Sequence, residues 1–242
     1  MLAIGRAWGI TAADGTLAAS TLVLPYGGSF AWVSMVLVSP EHRRKGYASQ
    51  LLRIAIADLQ SKRLTPILDA TPAGHEVYVQ EGFHDTWGFK RYALKQHASG
   101  LAEPAGVRPL EESDWSRVLE LDRVAFGASR EVLLRSLAAR LPQAAWVAEG
   151  GFLLGRDGHE ACQLGPLVAQ DAVTAKALLE AALARVPAPL YVDVADHAAG
   201  LRAWLESLGF AFQRPFTRMV HGAGGAPGDE SKVMLVAGPE LG

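Results

Sequence analysis

The sequence predicts a mixed α/β (α+β) protein built from two tandem domains. Three observations support this. The chain opens with short β-rich runs around Asp14-Gly15, amphipathic helices and strands then alternate, and one order of elements occurs twice. Between the repeats, residues 95–106 lose hydrophobic periodicity and gain Gly, Pro and Ser, which is typical of a linker. We therefore predict domains at 1–95 and 107–242, joined by a linker at 96–106.

The elements of the first domain follow from turn signals and periodicity. Asp14-Gly15 is typical of a tight hairpin and predicts antiparallel strands at 7–12 and 16–24. The run FAWVSMVLV (30–38) is apolar on both faces, which predicts a central strand covered by helices. The remaining patterns predict a helix over 49–62, a strand at 66–69, a helix over 74–81 ended by Gly82, and a strand over 83–94.

The second domain repeats this order after two additional helices. Ser113 is a candidate N-cap for the first of them, and the second covers 129–141. Short helices end in Gly-Phe at 82–83 and again at 209–210, which indicates an internal repeat. The later elements are strands at 144–149, 151–155 and 160–168, a helix at 171–186, a strand at 189–194, a helix at 197–208, and a closing hairpin of 210–220 with 232–237.

Composition restricts the class of partner. Among 242 residues, 23 Lys and Arg nearly balance 25 Asp and Glu, and the pI is about 6.4. Such a chain lacks the positive electrostatic potential that would hold nucleic acid or an anionic membrane, so we expect neither partner. The start MLAIGRAWGI lacks the features of a secretion signal, and no run is long enough for a membrane span, so we expect a cytoplasmic protein. Cys162 is the only cysteine, which excludes an intrachain disulfide, and we interpret it as a small buried hydrophobe.

A basic loop, PEHRRKGYAS (40–49), follows the strand at 30–38 directly. Arg43, Arg44 and Lys45 supply positive charge, and the start of the next helix adds its dipole and the free N–H groups of residues 44–49. Gly46 lets an anion approach where a Cβ would collide. We interpret the loop as a pyrophosphate site, with a solvated basic turn as the alternative.

The pattern Arg43-x-x-Gly46-x-Ala48 after a Val-rich strand resembles the acyl-CoA loop of the GNAT superfamily, the CoA-dependent N-acyltransferases. Tyr78 stands four residues before Gly82, where members of that family commonly carry a tyrosine. The resemblance covers nearly the whole chain. It implies two tandem GNAT-like domains, each with a mostly antiparallel twisted sheet, flanking helices and a central strand that splays from its neighbour.

The resemblance also implies a binding site for acetyl-CoA as co-substrate. The pantetheine arm would pair with free backbone groups of the central strand at Val36, Leu37 and Val38. The pyrophosphate would lie on the amides of Arg43, Arg44, Lys45, Gly46, Tyr47, Ala48 and Ser49. Tyr78 would protonate the departing thiolate, and a strand N–H near Leu37 or Val38 would bind the oxyanion.

The sequence assigns no general base and no metal site. The central strand offers only Ser34, and the other candidates, each more often a solvated or capping residue, are Asp69, His75 and Glu76. No two histidines have the spacing of a metal site, so we expect no metal. Three tryptophans could line an aromatic acceptor pocket or merely pack in the core: Trp32, Trp87 and Trp204.

Two features depart from the family pattern. The first domain lacks the opening strand and two helices that form one wall of the acceptor pocket. The second domain has this opening at 107–141, but GPLVAQDAVTAKALL replaces the basic loop. We expect Asp171 to cap the following helix and to repel a phosphate, and Leu205 replaces the tyrosine. We therefore expect that the second domain has lost acyl-CoA binding and shapes the acceptor site or a homodimer interface.

These observations predict an N-acetyltransferase that transfers an acetyl group from acetyl-CoA to an amine of a small molecule by direct attack. The alternative is a non-catalytic acyl-CoA-binding or regulatory protein, because the acceptor wall and the base are missing. Another class of nucleotide-binding domain fits less well. The antiparallel hairpin before the loop does not suit a Rossmann unit, which has parallel strands. The chain also lacks a glycine followed by Lys-Ser/Thr, as a P-loop requires.

Overall fold

The computed structural model describes residues 4–96 and 104–242. The chain forms two compact units. The first unit contains the described residues up to Trp87 together with 216–226 and 239–242, and the second contains those of 88–215 together with 227–238. The units are not contiguous in sequence and thus differ from the predicted division into 1–95 and 107–242. Residues 97–103 of the predicted linker lie outside the described residues.

The first unit is built on a sheet that combines antiparallel and parallel pairs. Its elements are β1 (Arg6–Thr11), β2 (Leu17–Pro25), β3 (Phe30–Val38), α1 (Tyr47–Ser61), β4 (Thr65–Ala70), α2 (Pro72–Gln80) and the first part of β5 (Phe83–Leu94). β1, β2 and β3 pair antiparallel in turn, and β3 pairs parallel with β4. The predicted turn at Asp14-Gly15 is confirmed, since Gly15 has φ +85° and the Thr16 N–H donates to Asp14 Oδ1 at 3.0 Å.

Helix α1 covers one face of this sheet. Its apolar side packs on alternate residues of β3 and β4, because successive strand side chains point to opposite faces. The buried residues of α1 are Leu51, Leu52, Ala55, Ile56 and Leu59, as the helical periodicity predicts. Gly82, at φ +88°, follows α2 in the left-handed conformation expected of a residue that ends a helix.

The second unit has the same plan with additional elements at its start. In chain order these are β6 (Val107–Pro109), α3 (Trp115–Phe126), α4 (Glu131–Arg140), β7 (Trp146–Ala148), β8 (Gly151–Arg156), β9 (Cys162–Ala169), α5 (Ala172–Leu183), β10 (Leu190–Ala195), α6 (Ala199–Ser207), the first part of β11 (Ala211–His221), and β12 (Val233–Leu235). β6 to β9 pair antiparallel in turn, and β10 pairs parallel with β9. Cys162 is only half-buried, at the edge of the core. In the described part of the chain, no helix is long and apolar enough to cross a membrane.

Two local predictions are wrong. Ser113 does not cap α3, because a 3₁₀ turn over 112–114 precedes the helix and is closed by a reciprocal capping box of Glu111 and Asp114. The predicted hairpin of 210–220 with 232–237 does not form. β11 pairs with β4 in the first unit, whereas β12 pairs with β9 and β10 in the second. Pairing on both sides satisfies the main-chain groups of β12, which an edge position would leave unpaired.

The last strand of each sequence repeat pairs with the preceding strand of the other repeat. β5 pairs with β10 from Phe89↔Ala195 to Leu94↔Leu190, and β11 pairs with β4 from Thr217↔Ala70 to Val220↔Ile67. Each pairing contains a directly opposed ion pair, Asp69 with Arg218 in the first unit and Asp193 with Arg91 in the second. This exchange explains why each compact unit includes residues from both repeats.

Candidate active site

The central strand of the first unit separates from its parallel neighbour halfway along. β3 pairs with β4 only from Phe30↔Thr65 to Trp32↔Ile67. Beyond that point β3 pairs with β2 alone, across a bulge at which Met35 adopts φ +53°. On the side of β4, the main-chain groups of 36–38 have no strand partner within the described residues. The splayed strand that the resemblance implied is therefore present.

Exposure along β3 changes at the same point. Residues 30–34 are buried, but Met35 is 41% exposed and Leu37 is 54% exposed. The prediction that both faces of β3 are covered is thus correct only for its first half. Exposed apolar side chains beside unpaired main-chain groups are typical of a groove that binds an extended ligand.

The loop after β3 gathers main-chain N–H groups at the start of α1. Arg44 has φ +60° and Gly46, the N-cap of α1, has φ +77°. Successive N–H groups next to left-handed residues form a concave anion nest. The first main-chain N–H of the helix that donates to a carbonyl is that of Gln50, which bonds Gly46 O at 3.0 Å. In the described chain, the N–H groups of 44–49 make no main-chain hydrogen bond and are available to an anion.

Charge and space at the loop also suit an anion. Arg43, Arg44 and Lys45 are exposed, and none of them forms an ion pair with another described residue. A Cβ at Gly46 would meet no atom within 4 Å, so the space in front of the nest is open. Free donors, a helix N-terminus and formal positive charge together fit a diphosphate better than a single carboxylate. The residues present therefore fit the pyrophosphate of acetyl-CoA.

A polar contact holds the start of α1 against the end of α2. Arg53 donates from Nε and Nη2 to the Glu81 carboxylate at 2.8 and 2.9 Å. Hydrogen bonds from Arg53, and then from the Ser49 side chain, hold the pKa of Glu81 below its ordinary value.

Tyr78 lies on α2, partly buried against the core under α1. Its ring meets Phe83 edge-on, with ring centroids 6.2 Å apart. A Cβ at Gly74 would lie 2.9 Å from the Tyr78 ring, so Gly74 provides the space that the ring occupies. Burial raises the pKa of Tyr78, and the phenol therefore keeps its proton at neutral pH. The sequence did not single out Gly74, although its spacing of four residues before Tyr78 on a helix is a detectable signal.

The candidate bases near β3 have other contacts. Asp69 is buried and accepts hydrogen bonds from Arg218 Nε and Nη2 at 2.9 and 3.0 Å. His75 Nε2 lies 2.7 Å from Asp85 Oδ1, and Glu76 is exposed to solvent. A buried carboxylate that is paired with arginine is a poor proton acceptor, so the geometry disfavours Asp69 as a base.

The three tryptophans, which could line an acceptor pocket or pack in the core, all lie against cations. Trp32 and Trp87 both lie against the guanidinium of Arg218, whose Cζ is 4.5 and 4.2 Å from the two ring centroids. Trp32 is fully buried. Trp204 belongs to the second unit, where Lys176 Nζ lies 5.2 Å from its ring centroid. Trp32 therefore packs in the core, and each of the three rings contacts a cation.

The second unit contains the same separation of strands, but its own chain fills the gap. β9 and β10 pair only from Cys162↔Leu190 to Leu164↔Val192. Beyond that point β12 lies between them and pairs antiparallel with both. The Val236 N–H donates to Asp193 O at 3.1 Å, which continues this pairing past the end of β12. No local pattern in the sequence indicates this role of β12, which was not predicted.

A carboxylate caps the start of α5. Asp171 is the N-cap, and its Oδ1 accepts a hydrogen bond from the Thr174 N–H at 2.7 Å. Hydrogen bonds from the Thr174 backbone and side chain hold the pKa of Asp171 below its ordinary value. The prediction that Asp171 caps this helix is confirmed. The negative charge of Asp171 lies at the start of α5, whereas the start of α1 in the first unit offers the free N–H groups of 44–49.

Comparisons with known proteins agree with this geometry. The "Acetyltransferase (GNAT) family" matches residues 4–83, and the "Acetyltransferase (GNAT) domain" matches residues 118–235. The uncharacterized N-acetyltransferase YitH of Bacillus subtilis (strain 168) is 24% identical over 190 residues, which are 76% of this chain and 67% of that protein.

Solved structures share the fold at low sequence identity. A candidate acetyltransferase from Pyrococcus horikoshii has a TM-score of 0.77 at 21% identity, over 95% of this chain and 78% of its own. A tandem GNAT protein from the clavulanic acid biosynthesis pathway has a TM-score of 0.62 at 19% identity, over 93% of this chain and 85% of its own. The chain belongs to the GNAT acetyltransferase family and carries two GNAT domains in tandem.

Proposed function

We propose that this protein transfers an acetyl group from acetyl-CoA to an amine of a small molecule, and that the first unit binds the acetyl-CoA. The observation that supports this best is the presence of two neighbouring stretches of free main-chain groups. One is the β4 side of the splayed half of β3, at residues 36–38, and the other is the nest at 44–49. An extended arm that ends in a diphosphate matches this arrangement along its whole length.

In the proposed reaction the amine attacks the thioester carbonyl directly, a C–N bond forms and the C–S bond breaks. A main-chain N–H near Leu37 or Val38 binds the oxygen that gains charge. Tyr78 gives its proton to the departing sulfur and recovers one from solvent, into which the amine releases its own. The protons therefore balance without a further reagent. The chemistry requires positioning and proton transfer only.

The test is release of the CoA thiol from acetyl-CoA in the presence of a panel of primary amines that includes amino acids, polyamines and aminoglycosides. The proposal requires an acetylated amine that mass spectrometry detects with at least one of them. If acetyl-CoA binds and no amine is acetylated, the alternative function, acyl-CoA binding without catalysis, is supported. The contacts of Asp69 favour that alternative, because this candidate base is already paired with Arg218.

Replacing Tyr78 with phenylalanine is expected to lower kcat by about 10²-fold, since a positioned proton donor contributes a factor of this order. The Kd for acetyl-CoA should change little. Burial raises the pKa of Tyr78, so in the native protein the acid form persists beyond the ordinary tyrosine value of about 10. The fall in rate from loss of this proton should therefore lie above pH 10, which a kcat profile measures.

Gly74→Ala tests whether the position of the Tyr78 ring matters when the phenol itself is retained. Alanine favours the helix but places a Cβ against Tyr78, so kcat should fall while the phenol and the fold are retained. A Tyr78→Phe enzyme with kcat within twofold of the native value would contradict the role of the phenol.

We further propose that the second unit binds no acetyl-CoA, since β12 and Asp171 occupy its strand gap and helix start. Calorimetric titration is expected to give one site per chain. Gly46→Glu should reduce the number of sites to zero. A stoichiometry of two for the native chain, or a site of native affinity that remains in the variant, would show that β12 leaves the gap.

A further inference from the structure

Exposed apolar side chains lie on the face of the first sheet that α1 does not cover. Val36 packs against the core under α1, so its neighbours Met35 and Leu37 point to the opposite face. Met35 is 41% exposed and Leu37 is 54% exposed. Both belong to the half of β3 that pairs with β2 alone. This exposed surface therefore begins where β3 and β4 part.

Strand pairing extends the surface onto β2 and β1. Residues directly opposite each other share a face, and Leu37 lies opposite Ser20, which lies opposite Gly9. A Cβ on Gly9 would be 2.8 Å from Leu17 Cδ1, so the Leu17 side chain lies on the same face. Leu17 is 64% exposed. Three large apolar side chains thus flank two small residues, and we call Leu17, Met35 and Leu37 the apolar patch.

The strands under the apolar patch carry one charged residue, which points to the other face. Within β1, β2 and β3, which the structure describes in full, Arg6 is the only Lys, Arg, Asp or Glu. Its Nη1 donates to Asp58 Oδ1 of α1 at 2.8 Å. On β4 and β11, the pair of Asp69 with Arg218 is buried and mutually satisfied. A ligand on the apolar patch therefore meets no charged side chain of β1 to β3.

A later segment of the chain closes this face before the apolar patch begins. Trp32 points to the same face as the patch, since the next residue, Val33, packs under α1. Trp32 Nε1 donates to Pro239 O at 3.0 Å, and Tyr26 OH donates to Leu241 O at 2.8 Å. The face is therefore covered at Trp32 and open at the apolar patch.

We infer that the acceptor is an amine with an uncharged apolar chain or ring, which lies on the apolar patch while the nitrogen attacks the thioester. The inference rests on the proposed function, in which the arm of acetyl-CoA pairs with the free edge of β3 at 36–38 and thus lies beside the patch. An apolar chain gains free energy by leaving water for this surface. A charged tail would lose hydration there without a counterion.

The size of the apolar patch favours a small ligand over a second copy of the chain. Three partly exposed side chains cover far less than the roughly 800 Å² that each partner buries in a standard protein–protein interface. The patch also lies next to the strand edge to which the proposed arm binds. Both its size and its position therefore fit the apolar part of a small amine.

The test uses three primary amines of six carbons each: hexylamine, 1,6-diaminohexane and 6-aminohexanoate. Their far ends are a methyl group, an ammonium group and a carboxylate. With acetyl-CoA and the full chain, kcat/KM for hexylamine should exceed that for either charged amine at least about 10-fold, since burial of an unpaired charge is costly. From butylamine to heptylamine, kcat/KM should rise about 2- to 4-fold for each added methylene.

Two variants place a carboxylate on the apolar patch, Leu17→Glu and Met35→Glu. Each should lower the ratio of kcat/KM for hexylamine to that for 1,6-diaminohexane at least about 3-fold, because the carboxylate attracts the second ammonium group. The ratio is independent of any general loss of catalysis. Val132→Glu is the matched control, since Val132 is 67% exposed on α4 of the second unit, and it should leave the ratio within twofold of the native value.

The outcomes distinguish this inference from the proposed function. Values of kcat/KM within twofold for the three amines, a preference for a charged one, or an unchanged ratio in both patch variants would overturn the inference and leave the proposed function standing. The same holds if hexylamine is not acetylated while a polar amine of the wider panel is. If no amine is acetylated, the proposed function fails and the inference fails with it.

Discussion

Gly46→Glu is expected to weaken acetyl-CoA binding at least about 100-fold and to leave the fold intact. A carboxylate at this position would enter the open space in front of the nest, where the free N–H groups of 44–49 converge. It would satisfy those donors itself and repel the diphosphate, because two like charges a few ångströms apart near a protein surface cost about 4 kcal/mol. Calorimetric titration with acetyl-CoA and with CoA measures the effect.

Gly46→Ala separates charge from backbone strain. Both variants force a side chain into a residue with φ +77°, which costs about 1–2 kcal/mol for an L-residue. Alanine has no charge, and its Cβ meets no protein atom within 4 Å. We therefore expect Gly46→Ala to lose the same stability as Gly46→Glu and to retain far more of the affinity. Equal affinities of the two variants would show that the carboxylate does not meet the ligand.

Breaking the Asp69–Arg218 pair is expected to destabilise the protein by about 3–5 kcal/mol, whichever partner is removed. The side chain of Asp69 is fully buried and that of Arg218 is 6% exposed, so either single variant leaves a charge without its counterion in the core. Arg218 also packs against Trp32 and Trp87. Denaturant unfolding of Asp69→Asn and Arg218→Met measures the loss.

The double variant Asp69→Asn with Arg218→Met distinguishes an unpaired charge from lost packing. Since it removes both charges, it should be less destabilised than the sum of the two single variants. Arg123→Ala is the surface control, because Arg123 and Glu120 are both more than half exposed, and it should cost at most about 1 kcal/mol. Losses of about 1 kcal/mol or less for both buried single variants would contradict the argument.

The outcome for Asp69 also bears on catalysis. On sequence alone this residue was a candidate base, since it ends a short strand near the expected cleft. Its partner Arg218 lies 149 positions later in the chain, on a strand that was expected to form a hairpin with 232–237. No local pattern connects the two residues. The role of Asp69 as half of a structural ion pair became apparent only with the pairing of β11 and β4.

The second unit offers a parallel case. The absence of the basic loop and the Asp171 cap indicated from sequence that this unit had changed, and the cap is confirmed. The sequence does not show that β12 fills the gap between β9 and β10. Val233–Leu235 is a short apolar run, and such a run could pair with several strands of a sheet. Loss of acetyl-CoA binding by this unit stays a prediction until its stoichiometry is measured.

Local sequence determined the elements, and tertiary structure determined their partners. Interactions within a few residues determine the ends of β3 and β5, the turn at Asp14-Gly15, the left-handed Gly82 and the repeated order of strands and helices. Such interactions appear in the sequence as hydrophobic periodicity and turn residues. The exchange of β5 and β11 and the insertion of β12 depend on contacts between distant segments. Those contacts are selected by burial and main-chain pairing in the folded chain, which leave no local signature.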